Sequence, residues 1–161
     1  MESFVVCDSN ILLNLDVRTK DDLLEMMARN LIKNGYVKES FLKAIIAREK
    51  IFPTGLPTAG VHVAIPHTDI EHVHKKTISV GVLKKPVDFS MMGGGGETVQ
   101  VKLVFMLAMD EAHSQLELLQ KLMAILQDRE LLEFIVSEKD KTSIANVLNK
   151  KLNQLDSSSI L

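Results

Sequence analysis

The chain has 161 residues, of which 46% are hydrophobic and 25% charged, with a formal net charge of -2. That is enough chain for one soluble domain with a real core, and the charge supplies no basic face for a nucleic acid, so none is expected as a partner. A single cysteine, Cys7, excludes an internal disulfide and fits a reducing, cytoplasmic setting; it reads as a small hydrophobe rather than a nucleophile.

The opening "MESFVVCDSN" has no basic region followed by an apolar segment, so no signal peptide is expected. No apolar run approaches the roughly 20 residues of a membrane helix, which argues against direct membrane insertion. The first predicted helix is "TKDDLLEMMARNLIKNG". Thr19 and Asp22 have the spacing of a capping box, Leu23, Met27 and Leu31 recur at helical period, and Gly35 is a stop. A second helix is predicted near "KESFLKAIIAREKI", with Phe41, Ile45 and Ile46 on its apolar side. Pro53 and "TGLPTAG" end it in a loop.

Then "VHVAI" alternates as a strand, Val61, Val63 and Ile65 on one face and His62 and Ala64 on the other. "TISVGVL" (77–83) has the same period. "KKPVDFSMMGGGGE" is predicted to be a long connection. "TVQVKLVFMLAM" becomes wholly apolar from Val104 to Ala108, as a central strand covered on both faces does. A helix follows at "HSQLELLQKLMAILQD", with Leu116, Leu119, Met123 and Leu126 as its predicted apolar stripe. Two shorter helices are predicted at "DRELLEFIVSE" and "DKTSIANVLNKKLNQL", and the tail 156–161 is expected to fray. No linker splits the chain. The expected architecture is a single α/β domain over 1–155, a mixed sheet flanked by helices on both faces.

The "GGGG" run lacks the Lys-Ser/Thr of a phosphate loop and leads into a strand rather than a helix, so it reads as a flexible connection. His62, His67, His72 and His74 fall within thirteen residues. Such a cluster raises metal binding, but no helical pair and no cysteine accompany it, and "EHVHKK" reads as a solvated turn. Neither a metal nor a cofactor is expected.

His67 stands apart. Pro66 has no amide hydrogen and biases Ile65 toward extended geometry, so strand pairing should stop there. His67 would then emerge at a strand end on a stiff support, where α/β sheets place functional groups. An imidazole with a pKa near 6.5 offers a neutral nitrogen near pH 7. From the residues alone, an incidental loop histidine and a functional one are evenly matched. Thr68 and Asp69 read first as a local turn. Arg48, read alone, is a helix-end cation favourable to the dipole, and His113 a capping or surface residue.

"REKIFPTGL", then "HVAIPHTD", then an apolar strand leading to "MDEAHSQLELLQKL" together resemble the IIA component of the phosphoenolpyruvate-dependent sugar phosphotransferase system. The resemblance is to the mannitol/fructose class, covers roughly Phe4 to Leu152, and in "REKIFPTGL" looks most like galactitol-type members. It implies a phosphotransferase that takes a phosphoryl group from HPr onto His67, at Nε2, and passes it to an EIIB component. The membrane EIIC component would be reached only indirectly. The same resemblance implies that Arg48 stabilises the phosphoryl group and that His113 is an auxiliary donor. The bottom-up chemistry agrees, since transfer between imidazoles needs a neutral ring in line with phosphorus and fixed donors for spread negative charge. The alternatives are a regulatory IIA-like phosphoprotein and, in a different class, a metal-binding or non-catalytic domain. Ile51, Phe52, Leu56 and Met109 are candidates either for a partner-docking rim or for core.

Overall fold

The computed structural model describes residues 6–154; the tail expected at 156–161 lies outside them. In chain order the elements are β1 (Ile11–Leu15), α1 (Lys20–Lys33), α2 (Ser40–Ile51), β2 (Gly55–Leu56), β3 (Val63–Ala64), β4 (Thr77–Ser90), β5 (Thr98–Ala108), α3 (Ala112–Ile125), α4 (Arg129–Ser137) and α5 (Lys141–Gln154), with short 3-10 turns at Asp8–Asn10 and Ile70–His72. The five strands form one mixed sheet in the order β1-β4-β5-β3-β2. β1 and β4 run parallel, β4 and β5 antiparallel, β5 and β3 parallel, and β3 and β2 antiparallel.

Two apolar layers cover the sheet. Val80, Val82, Leu103, Phe105 and Leu107 pack with Leu118, Leu122, Ile135 and Leu148 of the three C-terminal helices. Leu83, Phe89, Val104, Met106 and Ala108 pack with Leu23, Met27, Leu31, Phe41 and Ile45 of α1 and α2. Alternation along β5 serves both layers at once, which is why Leu103–Ala108 carries no polar residue. Each Leu, Ile or Phe fully withdrawn from water there contributes about 1.5–3 kcal/mol.

The ends of α1 follow from its sequence. The Thr19 hydroxyl accepts the Asp22 amide at 3.1 Å. At the other end Gly35 adopts φ 80°, its amide reaches Ile32 O, and Tyr36 N reaches Leu31 O, the two bonds of a Schellman cap.

Four expectations are corrected. β1, five residues beginning the sheet, was not anticipated from the sequence. The segment from Lys84 to Ser90 is not a connection but the continuation of β4, which pairs with β5 out to Ser90–Thr98. Pro86 obscured it: between the pairs Val82–Leu103 and Val87–Val101, residues 83–86 face the single residue Lys102. Prolines in sheets collect at such bulges. This bulge also exchanges the faces of β5, so Val101 and Val104 serve the same layer. The true connection is the tip from Met91 to Glu97, closed by Met91 N to Glu97 O at 2.9 Å, with Gly93 to Gly96 all at positive φ.

The third correction concerns α3. Its buried face is Leu118, Leu122 and Ile125, whereas Leu116 and Met123 are exposed and Leu119 is half-buried. Of the predicted stripe only Leu126 is buried. "LELLQKLMAIL" supplies two apolar stripes, and periodicity alone does not say which meets the sheet. The fourth is that pairing does not stop at Pro66. Its carbonyl accepts Leu107 N at 3.0 Å, and His67 bridges Leu107 in parallel sense. Proline lacks a donor, not an acceptor.

Candidate functional site

β3 is only two residues long, yet its faces are those the alternation demands: Val63 and Ile65 enter one layer and Ala64 the other. Ile65 is buried, so the chain that leads to His67 is anchored in the core just before the ring. His67 Nδ1 lies 2.9 Å from Ile65 O. A carbonyl only accepts, so Nδ1 must hold the proton and Nε2 carries the lone pair. Burial, which disfavours the charged ring, lowers the His67 pKa below its usual 6.5. The Ile65 carbonyl opposes this and the Arg48 charge adds to it. At neutral pH the ring is uncharged, with its lone pair on Nε2.

His67 lies between two open clefts. One, of about 490 Å³, is shared with Arg48, Asp69, Gln115 and Leu116. The other, of about 380 Å³, is shared with Phe52, Thr54 and Met92 to Gly94 at the glycine tip. Arg48, in the last turn of α2, stacks over the Phe52 ring at 4.4 Å. Its contact with Asp69 Oδ1 is a loose 4.0 Å between partly exposed groups, so the guanidinium keeps donors for an anion. Thus His67 and Arg48 meet in one cleft. His113 does not line it: it is exposed in the first turn of α3, while Ala112, Gln115, Leu116 and Leu119 of that helix face the cleft.

Sequence reasoning missed the support beneath the site. Glu49 is 2% exposed and receives both the Thr54 amide and the Thr54 hydroxyl at 2.7 Å. Burial raises its pKa above the usual 4.5, against the pull of the Thr54 bonds and of Lys20. Thr54 O in turn accepts Ile65 N at 3.4 Å, and the next residue, Gly55, pairs with Ala64. Glu49 therefore fixes the loop against which β3 is held. The signal was present, since Phe41, Ile45 and Glu49 recur every four residues along the buried face of α2. Gln115 was likewise passed over.

The other histidines go elsewhere. His62 Nδ1 accepts the Thr58 amide at 3.1 Å and steadies the loop before β3. His72 Nδ1 lies 2.8 Å from Ser40 Oγ. Among the described residues no group of three or more His, Cys, Asp or Glu is placed to hold a metal. Cys7 is half-buried, its Sγ accepting from the Tyr36 hydroxyl at 3.5 Å. Of the four rim candidates, Ile51 and Phe52 are exposed, Leu56 is half-buried and Met109 is core. No helix among the described residues is long and apolar enough to cross a membrane.

Known proteins resemble this chain in sequence and in fold. The chain is 27% identical over 146 residues to the mannitol-specific phosphotransferase enzyme IIA component of Bacillus subtilis, covering 91% of this chain and 97% of that one. It is 29% identical over 120 residues to the galactitol-specific EIIA component of Escherichia coli K12, covering 73% and 78%. In fold it superposes on the structure of Escherichia coli enzyme IIAMtl in complex with phosphorylated enzyme IIBMtl with a TM-score of 0.72 at 22% identity, over 94% of this chain and 99% of the other. The family model described as phosphoenolpyruvate-dependent sugar phosphotransferase system, EIIA 2, matches residues 5–151, nearly the whole chain, and the protein belongs to that family.

Proposed function

We propose that His67 is the phosphoryl carrier of this EIIA protein, taking the group from phospho-HPr on Nε2 and passing it to an EIIB component. The observation that carries this reading is the 2.9 Å bond between Nδ1 and the Ile65 carbonyl, which leaves Nε2 unprotonated beside two open clefts. In the accepting step the Nε2 lone pair forms the N–P bond as the donor's N–P bond breaks, and the donor imidazole leaves with that bond's electrons. No proton has to move. The positive charge that the ring acquires is shared with Nδ1–H and met by the Ile65 carbonyl dipole, while Arg48 supplies fixed donors to the phosphoryl oxygens. Donation to EIIB reverses the roles.

The surroundings suit two visitors in turn. Ile51, Phe52, Met92 and Leu116 expose apolar surface around the clefts, with Arg48 and His67 between them. A small apolar rim around a charged centre suits a transient contact that must separate after transfer. The "REKIFPTGL" segment supports a galactitol-type partner set, and the relay chemistry a cytoplasmic setting. The test is incubation with phosphoenolpyruvate, enzyme I and HPr, followed by mapping of the modified residue. One acid-labile, base-stable phosphoryl group on His67, absent from His67→Ala, is expected. A full equivalent on the His67→Ala protein would overturn the assignment.

A further inference from the structure

We infer that Gln115 donates a side-chain amide hydrogen to the phosphoryl group on His67, the part that the family resemblance gives to His113; this rests on His67 being the acceptor. Three observations converge. First, Gln115 lines the His67–Arg48 cleft. Ala112, Gln115, Leu116 and Leu119 stand at i, i+3, i+4 and i+7, so one stripe of α3 faces the site. His113 stands about 160° from Gln115 and about 60° from Leu116 around the helix, outside that stripe.

Second, Gln115 Oε1 is buried without a hydrogen-bond partner. Such orphans are rare and cost about 1–3 kcal/mol. The orphan is an acceptor, which phosphoryl oxygens do not satisfy; its weight here is that no bond within the protein claims the oxygen end of this amide. Its NH2 group carries two donors, the complement of phosphoryl oxygens. Third, α3 begins at this cleft, and its cap residue Glu111 makes no side-chain bond to the first turn. The positive end of the α3 dipole lies there, which adds to the preference for an anion beside Gln115.

The chemistry differs from that of a histidine donor. A carboxamide does not titrate, so stabilisation of the phosphoryl group would be independent of pH across the range in which an imidazole changes charge. Arg48 and Gln115 would then hold the phosphoryl oxygens as a permanent cation and a permanent neutral donor, and only His67 would respond to pH.

The experiment measures the rate of phosphoryl uptake from phospho-HPr against pH for the wild type, Gln115→Met, Gln115→His and His113→Ala, with melting temperatures to confirm folding. Gln115→Met keeps length and apolar packing but has no donor. It is expected to slow uptake by about tenfold or more, toward the 10²–10³ seen for a lost oxyanion donor. His113→Ala should stay within about twofold of the wild type, because its ring lies off the cleft stripe. Gln115→His should recover much of the loss and acquire a new dependence, faster as pH falls through about 6.5. A folded Gln115→Met at the wild-type rate, or His113→Ala as damaging as Gln115→Met, would overturn this inference while leaving His67 as acceptor. Phosphate mapped to a residue other than His67 would instead remove the parent reading.

Discussion

Replacing Glu49 tests whether the site's rigidity comes from below. In Glu49→Ala the amide and the hydroxyl of Thr54 lose their acceptor together, and Thr54 is itself only 4% exposed. Each orphaned buried donor costs about 1–3 kcal/mol, so the variant should lose about 3–4 kcal/mol. Glu49→Gln keeps an oxygen for the Thr54 amide and can donate its NH2 to the Thr54 hydroxyl oxygen, so it should stay within about 1 kcal/mol. pH separates the two explanations further. The Glu49 pKa is raised in the fold, so its contribution is complete below 4.5, where both states are protonated. It declines as pH rises from there through the folded value, because the unfolded chain ionises first. Glu49→Gln should lack that decline. Urea unfolding of the three proteins between pH 4 and 8 reads both effects. A loss below about 1 kcal/mol in Glu49→Ala, or a Gln variant as unstable as the Ala variant, would refute the claim that these two bonds hold the loop.

Three further outcomes are expected. NMR titration of His67 should give a pKa below 6.5, and Arg48→Ala should raise it, since the Arg48 charge contributes to the depression. With the folded pKa lowered, stability should fall as pH drops from 6.5 through that value, because the unfolded chain takes up the proton first; an unshifted resonance would contradict this. Gly55→Ala should cost about 2–3 kcal/mol, since its Cβ would stand 2.6 Å from the Ser90 carbonyl oxygen, whereas Gly81→Ala should cost less because its nearest neighbour, at 2.7 Å, is the flexible Met27 sulfur. Denaturant midpoints rank the two. Leu116→Asp and Ile51→Asp, at exposed positions, should leave the melting temperature nearly unchanged and raise KM for phospho-HPr about tenfold, as loss of an interface contact does. Unaltered steady-state kinetics would remove that rim from the docking surface.

Much of the fold was legible because period and end signals agreed. Thr19 and Gly35 bracket α1, and the bare run up to Ala108 forms the most enclosed strand. The misreadings have a common cause, in that local sequence states a preference and tertiary pairing decides it. Pro86 marks a loop in most contexts, but here the bulge against Lys102 absorbs it and pairing resumes at Val87. On α3, both stripes satisfy the helical period. The stripe through Leu118 and Leu122 went to the sheet and left Leu116 and Leu119 to wall the cleft. Part of what reads as the core face of an isolated helix is, in the assembled protein, the wall of the cleft beside His67.

At the site the sequence pointed to His67 but not to what fixes the chemistry of its ring. That Pro66 stiffens the approach to His67 follows from covalent geometry. That the neighbouring Ile65 carbonyl turns back to accept a hydrogen bond from Nδ1–H depends on where the buried Ile65 side chain is anchored, which only packing determines. His113 drew attention through the family resemblance, and Gln115 escaped it because glutamines on helices are usually solvated. The cleft lining decides between them: Gln115 stands with Ala112, Leu116 and Leu119 around it, while His113 is exposed outside that lining. Selecting a site residue on a helix therefore requires the phase of that helix. That phase was set on the adjoining face, by Leu118, Leu122 and Ile125 meeting the sheet.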